Sequence, residues 1–164
     1  MHERVISNTS PLLYLFRIGK IQLLEKIYGE IVVPYQVKQE LEEGARQGNL
    51  VPRLMDYKWV RLESVRIPEF LLLVSDLGMG EAATIALGME NPSDVLLVID
   101  DMLGRRIAGL HNLRVTGLAG ILMKSKKLGL IPSLGDCLGE LKSKGFYLKQ
   151  QVIDDMLKIS GENS

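Results

Sequence analysis

Val95-Leu96-Leu97-Val98-Ile99-Asp100-Asp101 is the segment that most clearly indicates the architecture of this 164-residue chain. Its branched aliphatic residues end abruptly in two adjacent carboxylates. An unbroken aliphatic run of this kind is typical of a strand that is buried on both faces of a parallel sheet. Ligand sites in open α/β sheets lie beyond the carboxyl ends of such strands, and buried carboxylates are costly without a compensating partner. The segment therefore predicts a central strand with a candidate site at its tip.

Strand-like and helix-like segments alternate along the rest of the chain. Further short strands are predicted at residues 4–7, 30–33, 59–62 and 114–117, and most of the segments between them show helical patterns. The first helix is predicted to start at Ser10-Pro11, with the Ser10 hydroxyl as its cap. This alternation predicts an α/β fold, a three-layer α/β/α arrangement on a mostly parallel central sheet. We expect one domain over residues 1–160 and a short polar tail over 161–164.

The composition narrows the classes of protein to which the chain can belong. Apolar residues make up 46% and charged residues 24%, as in ordinary globular proteins. Lys plus Arg and Asp plus Glu number 20 each, so strong non-specific binding to polyanions is not expected, although a local basic patch stays open. Cys137 is the only cysteine, which excludes an internal disulfide and favours the cytoplasm. We expect no signal peptide, because the first strand starts almost at Met1, and no membrane span.

Four acids and one amide are predicted at comparable positions in this fold. Asn8 ends the first strand, Glu81 lies in the first turn of a helix, and Asp100 and Asp101 follow the central strand. The carboxyl ends of parallel strands meet at one edge of the sheet, so these side chains can converge. Glu40 joins them only if its helix crosses that edge. Oxygen ligands of this kind suit Mg²⁺ or Mn²⁺, which activate water for phosphodiester hydrolysis.

Each of these residues also has a structural interpretation. Asp101 can cap the helix that follows it, and Glu81 can complement a helix dipole. Glu40 can be an exposed helix residue, and Asn8 can form an Asx turn. The adjacent carboxylates of Asp100 and Asp101 after a buried strand favour a functional interpretation, because two buried acids have a high desolvation cost.

Basic and nucleophilic residues outside the acidic set are also considered as functional residues. Arg105 and Arg106 follow the paired acids and could either hold phosphate oxygens or neutralise the carboxylates. Ser10, His111 and Cys137 have no triad signature, which disfavours nucleophilic catalysis. A phosphatase or a receiver-like domain that uses one of the paired acids is a weaker alternative.

Four segments carry a resemblance to a known family: residues 5–13, 80–82, 97–101 with Gly104-Arg105, and 115–117. Together they resemble the PIN domain, and the resemblance extends from residue 4 to about 160. The likeness is greatest to a prokaryotic, VapC-like branch. It implies an α/β/α fold and, as in many PIN domains, an Mg²⁺- or Mn²⁺-dependent ribonuclease. Several members of the family are toxins whose acidic site is occluded by an antitoxin, and many dimerise.

The resemblance also assigns roles to individual residues. It makes Asn8 the first acidic position, where active PIN nucleases usually have Asp, and it makes Ser10 the small hydroxyl residue near the metal. The remaining acidic positions of the family match Glu40, Glu81 and the pair Asp100 and Asp101. An amide oxygen can coordinate a cation but brings no charge, so Asn8 predicts weaker metal binding and slower turnover.

Two hypotheses follow from these observations. The first is a metal-dependent endoribonuclease in which the acids hold one or two ions, with the toxin of a toxin–antitoxin pair as its finer biological role. Arg105, Arg106 and residues 124–127 would then hold the RNA backbone. The second is a catalytically weak or inactive PIN-fold module that binds RNA or protein. The expected partners are RNA, an antitoxin-like protein and a second copy of the chain.

Overall fold

Five parallel strands form the central sheet of the protein, for which a computed structural model describes residues 3–162. Along the sheet the order is β3-β2-β1-β4-β5, and every neighbouring pair is parallel. The strands are β1 (Arg4–Ser7), β2 (Ile31–Pro34), β3 (Val60–Glu63), β4 (Val95–Val98) and β5 (Arg114–Thr116). Residues 1, 2, 163 and 164 lie outside the described part, so the tail predicted over 161–164 falls partly outside it.

Helices cover both faces of this sheet. They are α1 (Thr9–Arg17), α2 (Gln22–Tyr28), α3 (Tyr35–Arg46), α4 (Glu69–Leu72), α5 (Met79–Glu90), α6 (Met102–Leu110), α7 (Leu118–Lys127), α8 (Leu134–Ser143) and α9 (Gln150–Ile159). Alternate strand residues feed two separate cores: Val98 packs with α1, α2, α7 and α8, whereas Leu97 packs with α5 and α6. The predicted three-layer α/β/α fold is confirmed. No described helix is long and apolar enough to cross a bilayer.

The central strand has the environment that its composition predicts. Every residue of β4 is buried, and the strand pairs with β1 on one side and β5 on the other. In this register Ser7 lies opposite Val98, and the Asn8 amide extends the ladder by donating to the Val98 carbonyl at 3.2 Å. The register therefore brings Asn8 beside the residues that follow β4.

The first helix starts earlier than predicted. It begins at Thr9, and Asn8 rather than Ser10 occupies the cap position, without a side-chain capping bond. The predicted cap at Ser10 is therefore wrong. The physical reason is that the Asn8 amide still pairs with Val98, so the chain stays extended through residue 8 and turns directly after it. Pro11 is tolerated in the first turn, where its missing N–H would have no helical partner.

Candidate functional site

An open cleft of about 840 Å³ lies at the carboxyl edge of the sheet. The structure brings together around it nearly all the side chains that the sequence singled out: Asn8, Ser10, Glu40, Glu81, Asp100, Asp101 and Arg105. Arg106 is exposed and is not part of the lining. The predicted convergence of acids at one edge is therefore what the structure shows.

Glu40 is held in the cleft by two donors. The Thr9 hydroxyl donates to Glu40 Oε1 in a short hydrogen bond, and the Gly80 amide donates to Oε2 at 3.1 Å. Gly80 is buried, and a Cβ there would overlap the Glu40 carboxylate. Helices α3 and α5 therefore approach closely only because residue 80 has no side chain. Sequence reasoning missed Thr9, since only this tertiary contact distinguishes it from an ordinary helix-start residue.

Glu81 lies in the first turn of α5 with half of its carboxylate unsatisfied. Oε1 accepts from the Gly78 amide at 3.2 Å, whereas Oε2 is buried and has no hydrogen-bond partner. The pKa of Glu81 is raised to about 7, mainly by burial and also by the neighbouring Asp101 carboxyl and the charge of Glu40, against the lowering effect of the Gly78 bond. The nearby Asp101 carboxylate disfavours a second negative charge, so its proximity favours the protonated form of Glu81.

Asp100 is the most deeply held acid of the cleft. Its Oδ1 accepts from the Leu118 amide at the start of α7, at 2.7 Å, and its Oδ2 is buried without a partner. Burial raises the pKa of Asp100 to about 6, although the Leu118 bond and the charge of Arg105 lower it. Gly117 packs against this acid: a Cβ there would lie 2.5 Å from Oδ1 and 2.8 Å from Arg105 Nη1.

Asp101 caps the helix that follows it, which is the structural role predicted for it from the sequence. It is the N-cap of α6, and its Oδ2 accepts from the Gly104 amide at 2.9 Å. The residue is nevertheless exposed and lines the cleft beside Glu81. The cap is therefore confirmed, and it keeps the Asp101 carboxylate at the mouth of the site.

Asn8 is almost fully buried, with 3% of its surface exposed, at the base of the cleft. Its Oδ1 has no hydrogen-bond partner, and no side-chain capping bond forms, so the Asx-turn interpretation is wrong. A buried carbonyl oxygen without a partner costs about 1–3 kcal/mol. Glu81 and Asp100, which line the same cleft, each also have one buried oxygen without a hydrogen-bond partner.

The basic residues divide between the cleft and other surfaces. The Arg105 guanidinium lies within the cleft lining and reaches the Ile99 carbonyl at 3.4 Å. Lys124 instead lies over the Tyr28 ring at 5.3 Å, and Lys126 pairs with Glu162 at 2.9 Å. Arg106 and residues 124–127 are thus not part of the cleft lining, which the helical sequence pattern alone did not reveal.

The rest of the cleft lining is mainly apolar, and most of it comes from the end of the chain. It is formed by Tyr14, Met102, Ala119, Gly145, Phe146, Tyr147, Leu148, Lys149 and Val152. Sequence reasoning missed residues 145–152, because no local motif relates them to acids that precede them by more than forty positions.

The oxygens of the cleft suit a hard divalent cation. Four buried side-chain oxygens of the described residues lack a partner, and three belong to the cleft residues Asn8, Glu81 and Asp100. Within residues 3–162, no group of three or more His, Cys, Asp or Glu side chains is placed to hold a metal. The available donor set is therefore two carboxylates and one amide, and its all-oxygen chemistry fits Mg²⁺ or Mn²⁺.

Comparison with known families agrees with this architecture. A family model described as PIN domain, DUF3368, matches residues 4–162, nearly the whole chain. No curated protein and no solved structure matches the chain. The extent of the family match, together with the parallel sheet and the acids at its carboxyl edge, shows that this chain belongs to the PIN-domain family, which has a nuclease-type fold.

Proposed function

We propose that the protein is a metal-dependent endoribonuclease of PIN type whose active site is the acidic cleft. The observation that carries the proposal is the set of three buried oxygens without partners, on Asn8, Glu81 and Asp100. Folding leaves such atoms unsatisfied at a measurable cost, which a bound cation would remove. Membership of a family whose members are generally divalent-metal nucleases acting on RNA supports the same conclusion.

Each residue of the cleft receives a role in this proposal. Glu81, Asp100 and the amide oxygen of Asn8 would hold Mg²⁺ or Mn²⁺, which when bound supplies Lewis acidity toward water and the phosphate oxyanion. Glu40 and Asp101 complete the acidic set, and donors from the backbone and from Thr9 keep both carboxylates in position.

Substrate contacts are proposed for two further residues of the cleft. Arg105 lies in the lining beside Asp100, where its guanidinium would bind a phosphate of the RNA. Ser10 also lines the cleft, and its hydroxyl would donate to a phosphate oxygen. The exposed Arg106 would contact the strand only outside the cleft.

Asn8 favours a second candidate, a PIN-fold module that binds RNA or protein but cleaves weakly or not at all. A neutral amide stands where a third negative ligand would strengthen metal binding, so this site has less charge to attract a cation. Asn8→Asp distinguishes the candidates. Cleavage only in the variant would identify the natural protein as a binding module, and comparable cleavage in both would identify it as an enzyme.

The finer biological role remains a proposal that rests on the resemblance to VapC-like proteins. In that role the protein would be a toxin, an antitoxin-like partner would cover the acidic cleft, and the chain would form a homodimer in the cytoplasm. The cleft is open to solvent, so a protein segment could reach the acids.

Calorimetric titration with Mn²⁺ tests the metal site directly. We expect binding by the wild type, loss of binding in Asp100→Asn and Glu81→Gln, and unchanged binding in Asp155→Asn, whose carboxylate is exposed on α9. Absence of binding by the wild type at millimolar Mn²⁺ would favour the binding module. Cleavage of RNA by Asp100→Asn at the wild-type rate would contradict the assignment of the active site.

A further inference from the structure

The segment of residues 145–149, which lies between α8 and α9, lines the cleft together with the acids. Its side chains alternate in exposure. Phe146 and Leu148 are partly buried and pack against the core beneath the sheet, whereas Tyr147 and Lys149 are exposed. The segment therefore presents one aromatic ring and one cation toward the surface beside the site.

The segment is firmly anchored. Helix α8 ends in a left-handed glycine, Gly145, with φ of +94°, and the Phe146 amide donates to the Leu141 carbonyl at 3.0 Å. This is a Schellman-type helix end, in which a hydrophobic residue after the glycine packs back onto the helix. The Phe146 ring also meets the Tyr14 ring edge-on, with centroids 5.1 Å apart. The position of Tyr147 is thus set by its two partly buried neighbours, Phe146 and Leu148.

Tyr147 itself has no packing role. Its side chain is 79% exposed, the largest exposure of any large hydrophobic residue in the described part of the chain. Within residues 3–162 no aromatic pair or cation–π contact involves its ring. An aromatic face held open to water beside a catalytic cleft is available for a ligand with a flat apolar surface.

The geometry points to Tyr147 as a stacking platform for an unpaired nucleobase. Lys149 would contact the adjacent phosphate, and the backbone of the same single strand would cross the acids. This inference rests on the proposed nuclease function and adds the residues that would contact an unpaired strand beside the acids. A base inside a duplex has both faces covered, so only a splayed base could stack on an exposed tyrosine. RNA and DNA strands share this chemistry, and a direct comparison shows which one the site accepts.

Fluorescence anisotropy in EDTA tests the contact without any cleavage. The probe is a fluorescein-labelled single strand of mixed sequence, as RNA and as DNA, with a duplex RNA for comparison. We expect Tyr147→Ala to weaken single-strand binding by roughly 5- to 100-fold, and Tyr147→Phe to stay within about threefold of wild type, because the ring rather than the hydroxyl stacks. Duplex binding should not change.

Two control variants separate the contact from general effects. Tyr35→Ala removes an exposed tyrosine outside the cleft, and we expect it to leave binding unchanged. Lys149→Ala should reduce the slope of log affinity against log salt by about 0.7, as expected for one lost phosphate contact to a single strand. Lys144→Ala, which removes an exposed lysine outside the lining, should not reduce it.

The outcomes distinguish this inference from the proposed function. Wild-type affinity in Tyr147→Ala, or equal losses in Tyr147→Ala and Tyr147→Phe, would overturn the stacking contact even if the protein cleaves RNA. An equal loss of duplex binding would overturn the assignment to unpaired strands, and no binding of any single strand by the wild type would overturn the inference as a whole. Tyr147-dependent binding without cleavage by the metal-loaded protein would support the contact while refuting the nuclease.

Discussion

Replacing Asp100 with asparagine should stabilise the metal-free protein, although it removes a residue central to the proposed site. One oxygen of Asp100 accepts from the Leu118 amide, and the other is buried without a partner. Asn has the same shape, and its carbonyl can still accept the Leu118 bond. The substitution therefore removes the charge and preserves the packing.

The size of the effect follows from the pKa of Asp100. Burial raises this pKa from the ordinary value of 3.8 to about 6 in the folded protein. The folded state therefore binds the proton more tightly than the unfolded state, so the associated stability is fully present below pH 3.8 and is lost as the pH rises through about 6. The gap in pKa corresponds to about 3 kcal/mol. For a chain of this length that equals a shift in Tm of about 6–12 °C.

Urea unfolding in EDTA between pH 4 and pH 8 measures this difference. We expect Asp100→Asn and wild type to have similar free energies of unfolding near pH 4, and the variant to be more stable by about 3 kcal/mol at pH 8. Asp155→Asn is the matched control, because that carboxylate is exposed and bonds only the Gln151 side chain. The control should follow the wild type at every pH.

Two results would refute this reasoning. A variant less stable than wild type at pH 8 would show that the charge of Asp100 is compensated in the folded protein. A gain of equal size at pH 4 and pH 8 would show that packing, rather than ionisation, causes the change.

Three further substitutions test the contacts that build the site and anchor the end of the chain. Gly80→Ala should destabilise the protein by about 1–3 kcal/mol, because its Cβ would overlap the Glu40 carboxylate, whereas Gly139→Ala, in open space on α8, should stabilise it by about 0.5–1 kcal/mol. Equal effects in urea unfolding would contradict the overlap. Thr9→Val should cost about 1.5–3 kcal/mol by removing the hydroxyl bond to Glu40, and Thr9→Ser should retain most of the stability. A similar loss in both would assign the effect to packing. Glu162→Gln should lower Tm at pH 7 and much less near pH 2, because bonds from two amides of α8 and from a lysine lower the pKa of this glutamate to about 2. Its contribution is present above pH 4.5 and is lost as the pH falls through about 2, so a Tm difference that does not depend on pH would contradict this assignment.

The sequence alone determined the class of fold and the candidates for the site. The aliphatic run Val95–Ile99 predicted a strand buried on both faces of a parallel sheet, and the structure has this strand over Val95–Val98. Asp100 and Asp101 were predicted at the tip of this strand because they directly follow the aliphatic run in the sequence. Periodicity and capping signals act over a few residues, so they are readable without the tertiary structure.

Only the tertiary structure decided how these candidates are used. The strand order β3-β2-β1-β4-β5 places Asn8 beside Asp100, and the approach of α3 to α5 at Gly80 brings in Glu40. The wall that carries Tyr147 comes from residues distant in sequence. Contacts of this range depend on how helices pack on the sheet, and the local pattern of a helix does not specify its neighbours. For that reason the sequence could name the acids, but it could not show which of their oxygens remain without a partner.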